Sequence, residues 1–488
     1  MAQVKANIRH LQPLPKSRTG IPGLDEITGG GLPKGRPTLA AGGAGCGKTL
    51  FAMEFLVNGV TQYDEPGVLV AFEENAEELA QNVASLGFDL KKMIKQKKLI
   101  IDYIQIERAE IEEAGDYDLE GLFIRLGYAI DKIGAKRVAL DTVEFLFAAL
   151  PNHAILRAEL QRLFRWLKDK GVTAVITAER GEGSMTRFGL EEYVADCVIL
   201  LDHRITEQVS TRRLRIVKYR GSLHGTNEYP FLIGKDGISV LPITSLGLEH
   251  QALSERVSTG VNELDEMLGG QGYYHASSIL VTGTAGTGKS SLAASFVNAA
   301  CNRGERSLYF AFEESTSQIV RNMRSIGIDL APHVKKGLLQ FHVARPSQYG
   351  LEMHLVTMYE LIREHKPDIV VLDPITDFFA IGSSVEVKAA ITRIVDFLMG
   401  NQITALFTSY ISDEGGAEQS IVGISSLIDT WVSLRNLERN GNRHRGLSIL
   451  KSRGMAHSHQ IRSFDLTDDG IKIGAMDLAG IGTGFDLA

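Results

Sequence analysis

Cysteine is scarce in this 488-residue chain: only Cys46, Cys197 and Cys301 are present. The count is odd and no pair has metal-ligand spacing, which excludes a disulfide-stapled secreted scaffold and fits a reducing compartment. Long apolar runs are missing too. No uninterrupted stretch reaches the ~20 residues of a membrane-spanning helix, and the leader MAQVKANIRHLQPLPKSRTG lacks the apolar core of a signal peptide. The expectation is a soluble, cytoplasmic protein without a membrane partner. Positive charge is not in excess. A formal charge of −7 argues against a large nucleic-acid footprint and leaves room only for a local basic groove. Low-complexity tracts are absent, and 44% hydrophobic with 23% charged residues describes an ordinary globular chain with ample core.

Glycine, in contrast, is plentiful, with 50 residues, and it concentrates in two telling places. Gly42-Gly43-Ala44-Gly45-Cys46-Gly47-Lys48-Thr49 and Gly283-Thr284-Ala285-Gly286-Thr287-Gly288-Lys289-Ser290 both fit G-x-x-x-x-G-K-[ST]. Gly-rich backbone bends so that successive N–H groups point at phosphate oxygens, the lysine reaches the β- and γ-phosphates, and the hydroxyl ligates Mg²⁺. A helix beginning under the loop adds its positive dipole end. A single match could be a Gly-rich turn before a helix; an aligned pair is far more specific. Cys46 reads as a tolerated filler inside the loop, with oxidation sensitivity as the alternative.

The order of elements is an α/β order. The run Pro37 to Gly43 is a strand delivering the first loop, and the helix after it buries Phe51, Phe55 and Leu56 at helical spacing. Further strands are expected over 67–72, 98–105, 137–141 and 173–180, with helices over 76–87, 119–133 and 154–170 between them. Three β-rich runs, 195–205, 211–221 and 228–242, close the first half. Alternating strands and helices imply a mostly parallel sheet flanked by helices, and the closing strands imply an antiparallel extension at one end. The same order restarts at Ser258. Lys289 minus Lys48 is 241, Glu313 minus Glu73 is 240, Asp373 minus Asp141 is 232 and Arg453 minus Arg220 is 233. Two tandem RecA-like P-loop domains follow, 1–245 and 246–488, joined near Leu241 to Arg256.

Hydrolysis also needs a group that orients or deprotonates the attacker, at the end of a strand beside the P-loop. Glu73-Glu74 and Glu313-Glu314 sit there; the alternative is solvated strand-end charge. Asp141 and Asp373 each close an apolar strand, as a Mg²⁺ ligand does, or as a turn residue does. Lys218-Tyr219-Arg220-Gly221-Ser222 with His224 recurs as Lys451-Ser452-Arg453-Gly454-Met455 with His457. Alternation points Lys and Arg to one strand face, where they would meet a neighbouring subunit's γ-phosphate or simply form a basic strand edge.

These motifs, with TGIPGLDEITGGGLPKGR, the segment from Leu50 to Glu74, and GLEEYVADCVIL, resemble the KaiC family of circadian-clock ATPases and autokinases over nearly the whole chain. The resemblance implies a homohexamer of two stacked rings with ATP between subunits. Slow ATPase would occupy the N-terminal ring and serine/threonine autophosphorylation the C-terminal ring. It places the phosphoacceptors on Ser425 and Ser426, which composition alone reads as a turn or cap, and gives Glu313 the general-base role. Expected ATP contacts extend to Leu50, Ser85, Ser291 and Ile326, and to Tyr219, Ser222, His224, Ser452 and His457; expected Mg²⁺ ligands are Thr49, Asp141, Ser290, Glu313 and Asp373. Ser426 stands where the family more often has Thr, and Ile326 where it has an aromatic residue near adenine. A KaiB-like partner is expected on the N-terminal domain, with the acidic connection Glu107 to Asp118 as its contact. The short stretch after Asp469-Gly470 leads to the expectation that no KaiA-like activator is needed. A RecA-type DNA-dependent ATPase and a nucleotide-gated scaffold without autophosphorylation are the rival readings.

Overall fold

The computed structural model describes residues 13–104, 119–147, 153–181, 186, 194–206, 209–242, 253–411, 424–439 and 442–476. The acidic connection 107–118 and most of the linker lie outside these residues. The chain divides into two compact units, Met1–Ser245 and Leu246–Ala488.

The N-terminal unit opens with a small pair, β1 (Lys16–Ser17) and β2 (Leu32–Pro33). Its main sheet contains β3 (Pro37–Gly42), β4 (Gly67–Ala71), β5 (Leu99–Tyr103), β6 (Arg137–Asp141), β7 (Thr173–Glu179), β8 (Cys197–Thr206), β9 (Val209–Tyr219), β10 (Glu228–Gly234) and β11 (Gly237–Val240). Their order across the sheet is β11-β10-β9-β8-β3-β7-β6-β4-β5. All pairs from β8 to β5 are parallel, and β8 to β11 pair antiparallel. The run 228–242 is thus two strands, because Gly234 pairs with Gly237 across a two-residue Lys235-Asp236 turn.

The C-terminal unit repeats the plan. After β12 (Arg256–Val257) and β13 (Tyr273–Tyr274) come β14 (Ser278–Gly283), β15 (Ser307–Ala311), β16 (Leu339–Val343), β17 (Ile369–Asp373), β18 (Thr404–Tyr410), β19 (Thr430–Arg439), β20 (Asn442–Ser452), β21 (Arg462–Thr467) and β22 (Gly470–Ala475). The order β16-β15-β17-β18-β14-β19-β20-β21-β22 is the same order with the same parallel and antiparallel pairs.

Central parallel strands are covered on both faces, so they read as continuous apolar runs. Along β4, Leu69 and Ala71 enter the core under the P-loop helix with Phe51, Phe55 and Leu56, while Val68 and Val70 enter the core on the other face with Phe123, Leu126 and Phe164. Trp166 stacks on Phe123 there, with ring centroids 5.3 Å apart. A buried Arg137 ties three pieces together: it donates to Glu65 at 2.7 Å, to the Phe55 carbonyl at 2.7 Å and to the Arg18 carbonyl at 2.7 Å.

One buried acid in this core is unusual. Glu54, on the P-loop helix Lys48–Tyr63, is 2% exposed and accepts the Ile238 N–H at 2.7 Å. Gly237 is left-handed at φ 98°, and a Cβ there would come within 2.6 Å of this carboxylate. Burial raises the Glu54 carboxyl to about 7. A carboxyl held above its unfolded value stabilises the fold below about pH 4.5, and that stabilisation is lost as pH rises through about 7. Urea denaturation of the N-terminal unit should therefore show stability falling between pH 5 and 7, by at most about 3 kcal/mol, and Glu54→Gln should flatten that fall.

Candidate functional site

Each P-loop follows the central strand of its sheet and runs into a helix, Lys48–Tyr63 or Lys289–Asn302. Gly47 and Gly288, at φ 102° and 101°, make the left-handed step before each helix, a conformation that favours glycine and turns backbone N–H groups outward. Lys48 Nζ donates to the Gly42 and Gly43 carbonyls at 2.8 and 2.9 Å; Lys289 Nζ donates to those of Gly283 and Thr284, both at 2.9 Å. The lysines thus lie along their own loops, at the mouth of the nest.

In the C-terminal domain the loop opens into a cavity of about 710 Å³. It is lined by the loop and helix-start residues Ala285, Gly286, Gly288, Lys289, Ser290 and Ser291, by the acids Glu313, Glu314 and Asp373, and by Ile326. The strands carrying the acid pairs are not next to the P-loop strands: β6 and β7 separate β4 from β3. The acids still converge, because all these loops leave the same end of the parallel sheet.

The two glutamates of each pair differ. Burial first, then the nearby Asp141 and Glu179 charges, raise the Glu73 carboxyl, while Lys48 pulls it down. Glu74 instead accepts a hydrogen bond from Asn82 at 3.1 Å. Likewise, Lys289 lies in the field of Asp373 and Glu313, although burial lowers its own pKa. Asp141 is buried and its carboxyl raised by that burial, with Thr177 and Thr49 hydroxyls bonded to it. Asp373 accepts from Tyr309 at 2.6 Å and from Thr408.

The donor sets, a hydroxyl at the helix start (Thr49 or Ser290) and a carboxylate across from it (Asp141 or Asp373), suit a hard cation that keeps waters and phosphate oxygens as its other ligands. Among the described residues no cluster of three or more His, Cys, Asp or Glu forms a metal cage.

Several lining residues carry no motif signal. Thr376, Asp377 and Tyr410 face the cavity; the Tyr410 ring lies 5.6 Å from Lys289 Nζ. The Asp377 carboxyl is raised to about 6, by burial and then by Glu313. At the Asp377 position the first repeat has Phe145, so comparing the repeats could not have found it.

The remaining expected residues gather at the opposite end of each sheet. Ile279 pairs with Thr430, and Trp431 with Lys451, at the beginning of β14. Asp429 accepts from the Ser278 N–H and hydroxyl, both at 3.0 Å. Lys451 Nζ donates to the Ser425 and Ile428 carbonyls at 2.8 and 2.7 Å, and Arg453 donates to the Ser426 carbonyl at 2.5 Å. Ser425 is half-buried and Ser426 exposed. In the first domain, Thr38 at the start of β3 pairs with Cys197, which pairs with Tyr219, and Arg220 lies 3.7 Å from Asp196. The strands end at Tyr219 and Ser452, so Arg220 and Arg453 stand on the following turns rather than on the strand face.

Some side chains turn inward. The Tyr219 hydroxyl donates to the Gly31 carbonyl at 2.8 Å and its ring is in the core; Ser452 is buried against Thr430. Those two have only backbone to offer a ligand. His224 lies near the Tyr219 ring, and His457 near His459. Ser222 and Ser85 are in neither P-loop; Ser222 is half-buried, and Ser85, exposed, caps the C-terminal end of the helix Ala76–Ala84. Leu50 is half-buried in the first turn of the P-loop helix.

Fold and site define a tandem P-loop ATPase with RecA-like domains. The KaiC ATPase family model matches residues 17–245 and 257–477, and the chain belongs to the KaiC family. It is 58% identical over 460 residues to circadian clock protein KaiC2 of Synechocystis sp., covering 94% of this chain and 81% of that one. It is 38% identical to the circadian clock oscillator protein KaiC of Parathermosynechococcus lividus, covering 96% and 87%, and 38% identical to that of Synechococcus elongatus, covering 96% and 91%. No described helix is long and apolar enough to cross a membrane.

Because Glu73 and Glu313 lie in the field of the P-loop lysines while Glu74 and Glu314 are each tied to an asparagine amide, Glu73→Gln should remove most N-terminal ATPase turnover, about 100-fold or more, and Glu74→Gln much less. Turnover of each variant in a Lys289→Ala background, which silences the second site, checks this ordering.

Proposed function

We propose that this chain is a KaiC-like ATPase and autokinase whose ATP sites are completed by a neighbouring copy. The N-terminal domain hydrolyses ATP slowly, and the C-terminal domain transfers a phosphoryl group to Ser425 and Ser426. What supports the shared-site reading is the polarity of the sheet. Both basic motifs and the serine pair are anchored at the start of the P-loop strand, and the phosphate loop leaves its end. Lys451 is in register with Leu280, near the start of β14, and the Lys451 and Arg453 side chains are tied to the Ser425, Ile428 and Ser426 carbonyls, whereas Lys289 is tied to the Gly283 and Thr284 carbonyls at the other end. A closed ring of identical copies brings one copy's basic end to the next copy's loop, and a homohexamer of two stacked rings is the assembly we assign.

In the C-terminal site Glu313 accepts the acceptor hydroxyl proton as the serine Oγ bonds to the γ-phosphorus of ATP and the bond to the β,γ-bridging oxygen breaks, releasing ADP. Lys289, with the neighbour's Lys451 and Arg453, stabilises the charge spread over the transferring group. Glu73 does the corresponding work on water in the N-terminal site, with Lys48, Lys218 and Arg220. Mg²⁺, held by Thr49 and Asp141 or by Ser290 and Asp373, would neutralise the phosphate charge; Glu313 faces the same space. Ile326, which lines the cavity, would cover the base by apolar contact.

Intact mass after incubation with Mg-ATP tests the autokinase, with gain of one or two phosphates expected on wild type and none on Ser425→Ala/Ser426→Ala. Mixing Lys289→Ala chains with Ser425→Ala/Ser426→Ala chains tests the shared site: phosphate should appear on the Lys289→Ala chain. Its absence from that chain, with wild type still phosphorylated, would overturn the shared site; an unmodified wild type would leave a nucleotide-gated scaffold.

We further assign a KaiB-like partner to the N-terminal domain, gated by phosphorylation in the C-terminal one. Nucleic acid is not a partner in this reading, which the net charge of −7 supports. A KaiB-like protein should be captured differently by the Ser→Ala and Ser→Asp double variants; equal capture would contradict the gating.

A further inference from the structure

The second glutamate of each pair has a partner that no motif announces. Asn82 Nδ2 donates to Glu74 Oε2 at 3.1 Å, and Asn322 Nδ2 donates to Glu314 Oε1 at 3.2 Å. Each asparagine is the seventh residue of the helix that starts behind its pair, Ala76–Ala84 or Thr316–Arg324. Both helices begin with a capping box, but from different residues: Asn75 with Glu78 in one, Ser315 with Gln318 in the other. The helix start is built differently in the two domains, and the amide-to-carboxylate contact is the same.

The chemistry suits a holding role. An asparagine amide donates without charge, so it fixes a carboxylate without neutralising it. A Lys or Arg there would pair with the acid and compete for phosphate, and an Asp would repel it. In the second domain the amide orientation is fixed from its other side, because Arg321 Nε and Nη2 donate to Asn322 Oδ1 at 3.2 and 3.0 Å, leaving the NH₂ for Glu314. The helix fixes the asparagine, the asparagine fixes the second glutamate, and the first glutamate of each pair is left in the field of the P-loop lysine.

We infer that Asn82 and Asn322 are positioning residues for the phosphoryl-transfer chemistry: each holds the second glutamate on the helix side of the cleft, so that a single carboxylate addresses the γ-phosphate of ATP. This rests on the ATPase reading above. A purely structural role would stabilise the helix and leave the chemistry alone.

A double-mutant cycle on the full chain, in a Lys289→Ala background so that only the N-terminal site turns over, separates the two. Asn82→Ala should lower kcat about tenfold or more, as loss of a hydrogen bond to a charged group does, with KM for Mg-ATP changed less than about twofold. In a Glu74→Ala chain the same substitution should change kcat by less than about twofold, since the residue acts through Glu74. Asn82→Asp, which keeps the shape and adds a repelling charge, should be at least as slow as Asn82→Ala. Equal effects of Asn82→Ala with and without Glu74, or a change confined to thermal unfolding, would overturn the inference. Should the N-terminal variants fail to fold, the cycle is run on Asn322 and Glu314, read as the initial rate of phosphate gain by intact mass. Failure of the ATPase reading itself has a different signature: Glu73→Gln would hydrolyse ATP at the wild-type rate, whatever the cycle gives.

Discussion

A parallel β-sheet has two chemically different ends, and both domains are built on that polarity. Every crossover returns the chain to the same side, so the loops that leave β3, β4 and β6, or β14, β15 and β17, gather at one end. There the P-loop, the acid pair and the buried aspartate meet although two strands separate β3 from β4. The antiparallel strands β8–β9 and β19–β20 reverse direction and carry the Lys-x-Arg segments back to the other end. Within one chain the Lys-x-Arg segments and the P-loop therefore lie toward opposite ends of the sheet.

Much of this plan is legible in the sequence because its signals are local. Buried parallel strands must be apolar throughout, and Val138-Ala139-Leu140 or Val370-Val371-Leu372 can hardly be read otherwise. The glycines at 47 and 288 announce a left-handed step that other residues rarely take. The repeat supplies a second reading of each element, which is why strand β6 and strand β17 could be aligned by their terminal aspartates.

What escaped the sequence depends on side-chain direction and on contacts between distant segments. Adjacent glutamates look equivalent in a row of letters; only the fold turns Glu73 toward Lys48 and Glu74 toward Asn82. Tyr219 sits in a motif of ligand-type residues, yet its ring packs inward, since strand alternation sends it to the face opposite Lys218. Asp377 and Tyr410 enter the second cavity with no counterpart of their kind in the first repeat, where Phe145 and Glu179 stand. The two domains share a backbone plan and differ in the residues at these positions beside the P-loop.

The placement of the aromatic residues has an optical consequence. The chain has two tryptophans, one in each domain. The indole of Trp166 is stacked on Phe123 with Lys170 5.8 Å from its ring, whereas that of Trp431 donates to Thr282 at 2.8 Å. Thr282 is the penultimate residue of the strand that delivers the second P-loop. The protein thus carries a separate intrinsic fluorophore for each domain, one of them wired by a hydrogen bond to a nucleotide-binding strand, so events in the two domains can be watched in one intact chain by their emission without an added label.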